Sequence, residues 1–240
     1  MISFRSVSKS YAADYAVKDF TLDMPSGKIT VLMGLSGSGK TTLLRMVNKM
    51  VSPSEGHITL DGVDVRDQDS VTLRRSIGYV LQEVGLLPHK SVFENVALIA
   101  RISGQSSTEA SSNAQEMLEL VGIDQSLFDR YPSELSGGQQ QRVGVARALA
   151  IKPKILLMDE PFGAVDPIVR EELQDELLRI QRTLALTIVL VTHDRYEALK
   201  LADQLVILSK EAQIEQSGSP AEIKQRPSNK FVSKLLGLER

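Results

Sequence analysis

The sequence contains no cysteine and no tryptophan. Without cysteine there are no disulfides, no thiolate zinc sites and no cysteine nucleophile. Such a composition suits a reducing compartment. A dominant charge is missing too: 28 Lys and Arg face 30 Asp and Glu, a formal net charge of −2 over 240 residues. That balance argues against a protein whose chief task is coating nucleic acid, which needs a strong basic field, and leaves room for a local basic patch. Long apolar runs are also lacking. The longest, residues 96–100 and 188–191, fall far short of the roughly 18 apolar residues a membrane span needs. The start, Met1-Ile-Ser-Phe-Arg5, has no apolar core of a secretory leader. The expectation is a cytoplasmic chain that does membrane work only through a partner. The length fits one large domain or two small ones with a real core.

Hydrophobic periodicity supplies the coarse organisation. Residues 1–33 read as short strands with turns, and Lys28 to Met33 is an apolar run ending at a glycine. Residues 41–49 read as a helix, 56–65 as a hairpin around Asp61-Gly62, and 77–81 as a strand. From Val92 to Ala150 the pattern is helical, interrupted by the Ser- and Gly-rich residues 103–112, expected to be a flexible surface connection. Residues 155–158, 187–192 and 205–208 read as buried strands. Residues 171–184 read as an amphipathic helix with Leu173, Leu177, Leu178 and Ile180 inward. Strands alternating with helices predict an α/β chain with a largely parallel sheet. The early hairpins predict an added antiparallel layer, and about 84–150 a helical insertion.

Gly34-Leu-Ser-Gly-Ser-Gly-Lys-Thr-Thr42 matches G-x-x-x-x-G-K-[ST], with a strand before it and a helix after it. A chance match in a chain of this composition is on the order of one in a hundred. Gly34, Gly37 and Gly39 permit turns that other residues resist. The amides of Leu35, Ser36, Ser38 and Thr42 can then join those glycines in a cradle for phosphate at a helix N-terminus. Lys40 is expected on the β and γ phosphates and the Thr41 hydroxyl on Mg²⁺. A nucleotide, with Mg²⁺, is therefore the expected ligand.

The apolar strand Ile155-Leu-Leu-Met ends in Asp159-Glu160. Ligands of open parallel sheets sit beyond the carboxyl ends of strands. There Asp159 is expected to hold Mg²⁺ through water, and Glu160 to polarise an attacking water as general base. A solvated acidic strand end is common, and the phosphate loop is what favours the catalytic reading. The chain has 3 histidines. Only His193 ends an apolar strand, and it is read as a γ-phosphate contact; His57 and His89 have no such context.

Leu135-Ser-Gly-Gly-Gln139 precedes a helical run, with Ser136 a good N-cap and Gly137 and Gly138 allowing close backbone approach. Together with the phosphate loop and the acidic strand end, it makes the chain resemble the ATP-binding subunits of ABC transporters over nearly all its length. The resemblance implies a phosphate-loop NTPase of the ABC ATPase fold. Its RecA-like core sheet carries an antiparallel β subdomain and a helical signature subdomain, all in a single ATP-binding domain over 1–240. It implies that Ser136, Gly137, Gly138 and Gln139 complete the ATP site of a second copy arranged head to tail. Tyr11 resembles the aromatic residue that stacks on adenine, a contact worth about 1–3 kcal/mol. Gln82 resembles the glutamine that binds Mg²⁺ and senses the transporter. Asp166 resembles the acidic residue of the loop crossing the dimer interface, where Val165 replaces the usual leucine.

Within the family, the stretches from Gly78 to His89, Gly137 to Arg147, Asp166 to Leu178 and Glu197 to Asp203 are similar to importer ATPases. The last two look most like the branch that imports glycine betaine, choline and carnitine. The resemblance implies two transmembrane permease subunits, an indirect link to a substrate-binding protein, and a peripheral place on the cytoplasmic face of the membrane, with no nucleic acid partner. Alternatives are an importer of an amino acid or inorganic anion, an export or lipid-transport ATPase, and a soluble ATPase acting on nucleic acid or ribosomes. The last usually has tandem cassettes or long coiled-coil insertions. Some relatives carry a C-terminal regulatory pair, for which a chain ending at Arg240 has no room. Ser209-Lys-Glu-Ala-Gln-Ile214 lacks the glycine usual in that turn.

Overall fold

The computed structural model describes residues 1–12, 14–163 and 165–238. Ala164, two residues before Asp166 in the sequence, and the expected end of the domain at Arg240 lie outside them. The chain forms two compact units, Met1–Arg74 joined by the chain from Thr187 on, and Arg75–Leu186.

The first unit opens with β1 (Ile2–Tyr11) and β2 (Asp14–Met24), an antiparallel pair. These are long strands rather than the short ones expected. Ser6 and Asp19, at φ 45° and 48°, sit at two compensating register shifts. Such bulges break the strict alternation by which a long strand is recognised. Phe4 and Phe20 meet across the pair edge to face, centroids 5.2 Å apart. The wholly buried β3 (Ile29–Gly34) leads through the glycine loop into α1 (Lys40–Val47). Next come β4 (Glu55–Leu60) and β5 (Val63–Asp64), turned at Asp61 and Gly62, both at positive φ as the Asp-Gly signal demands. Strand order β2-β1-β4-β5 is the expected antiparallel layer. The first unit passes to the second within α2 (Ser70–Ser76).

The second unit holds β6 (Ile77–Val80), α3 (Val92–Ile102), α4 (Ser107–Leu120), α5 (Gly137–Leu149), β7 (Ile155–Asp159) and α6 (Pro167–Leu184). β6 and β7 are parallel. Three helices start in capping boxes, Ser91 with Glu94, Ser106 with Glu109 and Ser136 with Gln139. The second box corrects the expected connection at 103–112: Ser106 and Glu109 satisfy the first free amides, so the helix begins at Ser107 despite its polar composition. α3, α4 and α5 pack through Val96, Ala100, Ala114, Leu118, Val143 and Ala146, all buried. On α6, Leu173, Leu177 and Ile180 are buried as expected, whereas Leu178 is half-buried and Gln174 and Gln181 lie inside.

The chain re-enters the first unit with β8 (Thr187–Thr192), α7 (Arg195–Leu201), β9 (Gln204–Leu208), β10 (Ile214–Gly218), α8 (Pro220–Gln225) and α9 (Lys230–Leu235). Here the order is β10-β9-β3-β8, with β3 parallel to both β8 and β9. β10, polar and half-exposed, has too little apolar content to be read from sequence. No helix among the described residues is long and apolar enough to cross a membrane.

Candidate functional site

The first unit gathers the phosphate loop, Tyr11 and His193. β3 ends at Gly34, where any side chain would collide with the Leu208 carbonyl and the Ser38 hydroxyl. Gly37 and Gly39 take φ of 77° and 96°, and Gly39 is pressed against the Ala16 carbonyl of β2. Only glycine combines that backbone with that closeness. Ser38 N–H donates to the Leu35 carbonyl at 3.2 Å, closing the turn, and the Leu43 amide donates to Gly39 at 3.0 Å. The Lys40 ammonium, with the residue only 5% exposed, donates to the carbonyls of Gly34 and Leu35 at 2.9 Å each and to Ser38 Oγ at 3.3 Å. The loop thus holds a cation among its own oxygens beside a helix N-terminus, a field suited to a polyphosphate. Thr41 and Thr42 follow, half-buried.

Because β2 runs against Gly39, its hairpin carries Tyr11 into the neighbourhood of the loop. Tyr11 is 51% exposed, and the Lys9 ammonium lies 5.0 Å from its ring centroid. On the other side, the turn after β9 reaches the loop. The Ala212 amide donates to the Ser38 carbonyl at 2.8 Å. Glu211 and Ala212 are both left-handed, at φ 59° and 57°. Two non-glycine residues thus hold a left-handed backbone in the turn that lacks the glycine, at a cost of roughly 1–3 kcal/mol each. Leu35, Ser36, Gly37, Ser38, Ser209, Lys210 and Phe231 line a recess of about 330 Å³.

His193 follows β8, whose register pairs Met33 with Thr192. Gly34 and His193 therefore leave adjacent parallel strands at the same level. His193 is exposed between two anchored neighbours. Thr192 Oγ1 donates to Glu197 Oε2 at 2.7 Å and accepts from the Asp194 amide at 2.9 Å. Asp194 Oδ1 caps α7 through the amides of Tyr196 and Glu197 at 2.7 and 3.2 Å.

The second unit gathers Gln82, Asp159 and Glu160. β6 pairs Val80 with Met158, so Gln82 and Glu160 emerge side by side from parallel strands. Asp159 is buried, while Glu160 is half-buried and left-handed at φ 47°. That backbone is uncommon for a glutamate and is the kind of strain that clusters at functional sites. Gln82 is exposed. The residues just after it are held by α5: Arg147 donates to the carbonyls of Val84 and Gly85, and Gly144 packs against Val84. Burial draws the Arg147 pKa below the ordinary guanidinium value. Sequence reasoning did not find this clamp.

Ser136 caps α5: its hydroxyl accepts from the Gln139 amide at 3.3 Å, and its own amide donates to Gln139 Oε1 at 2.9 Å. Ser136 and Gly137 are exposed, whereas Gly138 is buried against Val169 of α6. Asp166 is exposed and caps α6, accepting from the Ile168 amide at 3.0 Å. For a metal, no group of three or more His, Asp or Glu side chains occurs among the described residues. The Thr41 hydroxyl, the Gln82 amide and the Asp159 carboxylate are hard oxygen donors. Each by itself, Thr41 in the first unit and Gln82 and Asp159 in the second, is the kind of oxygen donor that Mg²⁺ takes alongside waters and phosphate oxygens.

Residues 17–163 match the model of the ABC transporter family. The glycine betaine/carnitine/choline transport ATP-binding protein OpuCA of Bacillus subtilis is 48% identical over 100% of this chain and 63% of its own length. The chain thus spans somewhat less than two thirds of that relative. The glycine betaine uptake system ATP-binding protein YehX of Escherichia coli is 47% identical over 99% of this chain and 77% of its own. A dimeric post-hydrolysis structure of the ATP-binding cassette MJ0796, bound to ADP and Pi, superposes with a TM-score of 0.81 at 32% identity, covering 92% of this chain and 99% of that one.

Proposed function

This chain belongs to the ABC transporter family, and from that premise we propose that it hydrolyses ATP to drive an importer of quaternary-amine osmoprotectants such as glycine betaine, choline and carnitine. The observation that carries the ATPase reading is the loop between β3 and α1, with Lys40 held inside it by three loop oxygens. The solute class rests on the likeness to importer ATP-binding proteins.

In this reading Lys40 and the loop amides bind the β and γ phosphates, and Tyr11 stacks on the base. Thr41, Gln82 and Asp159 would hold Mg²⁺, which supplies charge neutralisation at the transferring phosphoryl group. Glu160 takes the proton of the attacking water, and His193 holds the γ-phosphate. Ser136, Gly137, Gly138 and Gln139, with Asp166, meet the nucleotide of a second copy arranged head to tail. Two permease subunits read nucleotide state through Gln82, and a separate binding protein delivers the solute. The chain then sits at the cytoplasmic face as a peripheral subunit.

The test is uptake at raised osmolarity in the native host, comparing wild type with Lys40→Ala. Labelled glycine betaine, choline and carnitine are the substrates; methionine and nitrate are controls. Loss of the quaternary amines alone is expected. Loss of a control solute instead would keep the ATPase and discard the solute class; no loss of any would point to another solute, a redundant system or a role outside import.

A further inference from the structure

Resting on the reading of His193 as the γ-phosphate contact, we propose that Thr192 and Glu197 are a positioning pair that fixes the His193 backbone for hydrolysis. A threonine hydroxyl has one proton. Here it goes to Glu197 Oε2 at 2.7 Å, so a lone pair is left directed at the Asp194 amide, which donates at 2.9 Å. The side chain before His193 and the amide after it are thereby joined, and the histidine between them has little freedom in its backbone.

The pair is not needed to start α7, because Asp194 already caps that helix through two amides. Nor does packing call for it. Glu197 is 3% exposed and shares the buried side of α7 with Ala198 and Leu201. A carboxylate buried there costs more than an apolar residue of the same size unless it is well bonded. The buried carboxylate takes the Thr192 hydroxyl proton, and that bond sets the direction of the hydroxyl and, through it, the backbone of the exposed histidine. Its role is therefore in the rate of hydrolysis and not in nucleotide affinity.

The experiment uses the full chain and measures kcat and KM for MgATP, Kd for a trinitrophenyl-ATP probe, and Tm. The variants are Thr192→Val, Thr192→Ser, His193→Ala and the double variant Thr192→Val with His193→Ala. Thr192→Val is expected to lower kcat about tenfold or more, the scale on which small misplacements act, with KM and Kd within about twofold. Thr192→Ser, which keeps the hydroxyl, restores kcat. Adding Thr192→Val to His193→Ala lowers kcat no further, as residues acting through one group are non-additive. Should the valine variant not fold, Thr192→Ala carries the same expectation. Wild-type kcat in Thr192→Val, with His193→Ala inactive, overturns the positioning pair and leaves the histidine reading intact. Wild-type kcat in His193→Ala removes the histidine reading itself. A matched fall in kcat, affinity and Tm across the threonine variants marks a general structural role and also overturns the proposal.

Discussion

Gly138→Ala should change sign with its surroundings. Gly138 is the second residue of α5, and an added methyl would stand 2.5 Å from Val169 Cγ1 and 3.7 Å from its Cβ, across on α6. A helical valine is stiff at χ1, so it cannot swing clear without leaving its preferred rotamer. Overpacking of this kind costs about 1–3 kcal/mol. Against it stands the helix propensity gained in replacing glycine by alanine, about 0.8–1 kcal/mol at an interior position and less in the first turn. The net expectation is a loss of about 0.5–2 kcal/mol, or a few degrees in Tm for a chain of this size. In a Val169→Ala background the obstructing methyl is gone while the propensity gain remains. There the same Gly138→Ala change should be neutral or stabilising by up to about 1 kcal/mol. Calorimetric melting of the four proteins gives the cycle directly. Equal effects of Gly138→Ala in both backgrounds would refute the reasoning, because the cost would not then come from contact with Val169.

Other perturbations separate chemistry from stability. Glu160→Gln should still bind ATP but release phosphate about 10²- to 10⁴-fold more slowly, the range of a lost general base; normal steady-state phosphate release would remove Glu160 from that role. Ser136→Ala should cost α5 about 0.5–2 kcal/mol as a lost N-cap and also weaken ATP-driven dimerisation on gel filtration, with nucleotide binding to the monomer unchanged. Equal dimerisation would argue against a contact in trans. Toward acid, Glu109 is held below its ordinary pKa by the Ser106 hydroxyl and then the Ser106 amide, and Glu222 by the Ser219 amide and then its hydroxyl. A depressed folded-state pKa contributes stability above the unfolded value and loses it as pH falls through the folded value. Tm should therefore drop below about pH 4, and Glu109→Gln with Glu222→Gln should flatten that drop; an unchanged slope would exclude the two caps as its source.

The local motifs were more legible than the long-range architecture, for physical reasons. Gly34, Gly39, Lys40 and Thr41 are dictated by backbone geometry and charge within one short loop, so the pattern survives in one dimension. The placement of Asp159 and His193 at strand ends was legible because each closes an apolar run. Closures over distance left no such trace. Arg147 meeting the carbonyls of Val84 and Gly85 joins residues more than sixty apart. Neither hydrophobic period nor charge pairing announces a guanidinium bonded to backbone. The bulges at Ser6 and Asp19 hid two long strands by breaking their alternation. At Ser106 the capping box was present in the sequence, but serine-rich composition outweighed it. The turn at Glu211 and Ala212 shows the reverse: no glycine marks it, yet the backbone is left-handed, and the Ala212 amide there bonds the Ser38 carbonyl.

The cap on α5 bears on how firmly two such chains can hold together. The Ser136 hydroxyl already accepts a proton from the Gln139 amide, and Gln139 already accepts one from Ser136. The cap uses a lone pair of the Ser136 oxygen and leaves its hydroxyl proton to donate elsewhere. In the proposed reading a γ-phosphate oxygen of another copy is an acceptor and takes that proton, so the contact adds to the cap and does not compete with it. Forming or losing the contact then leaves the start of α5 intact, and the donor is already held in place before the partner arrives.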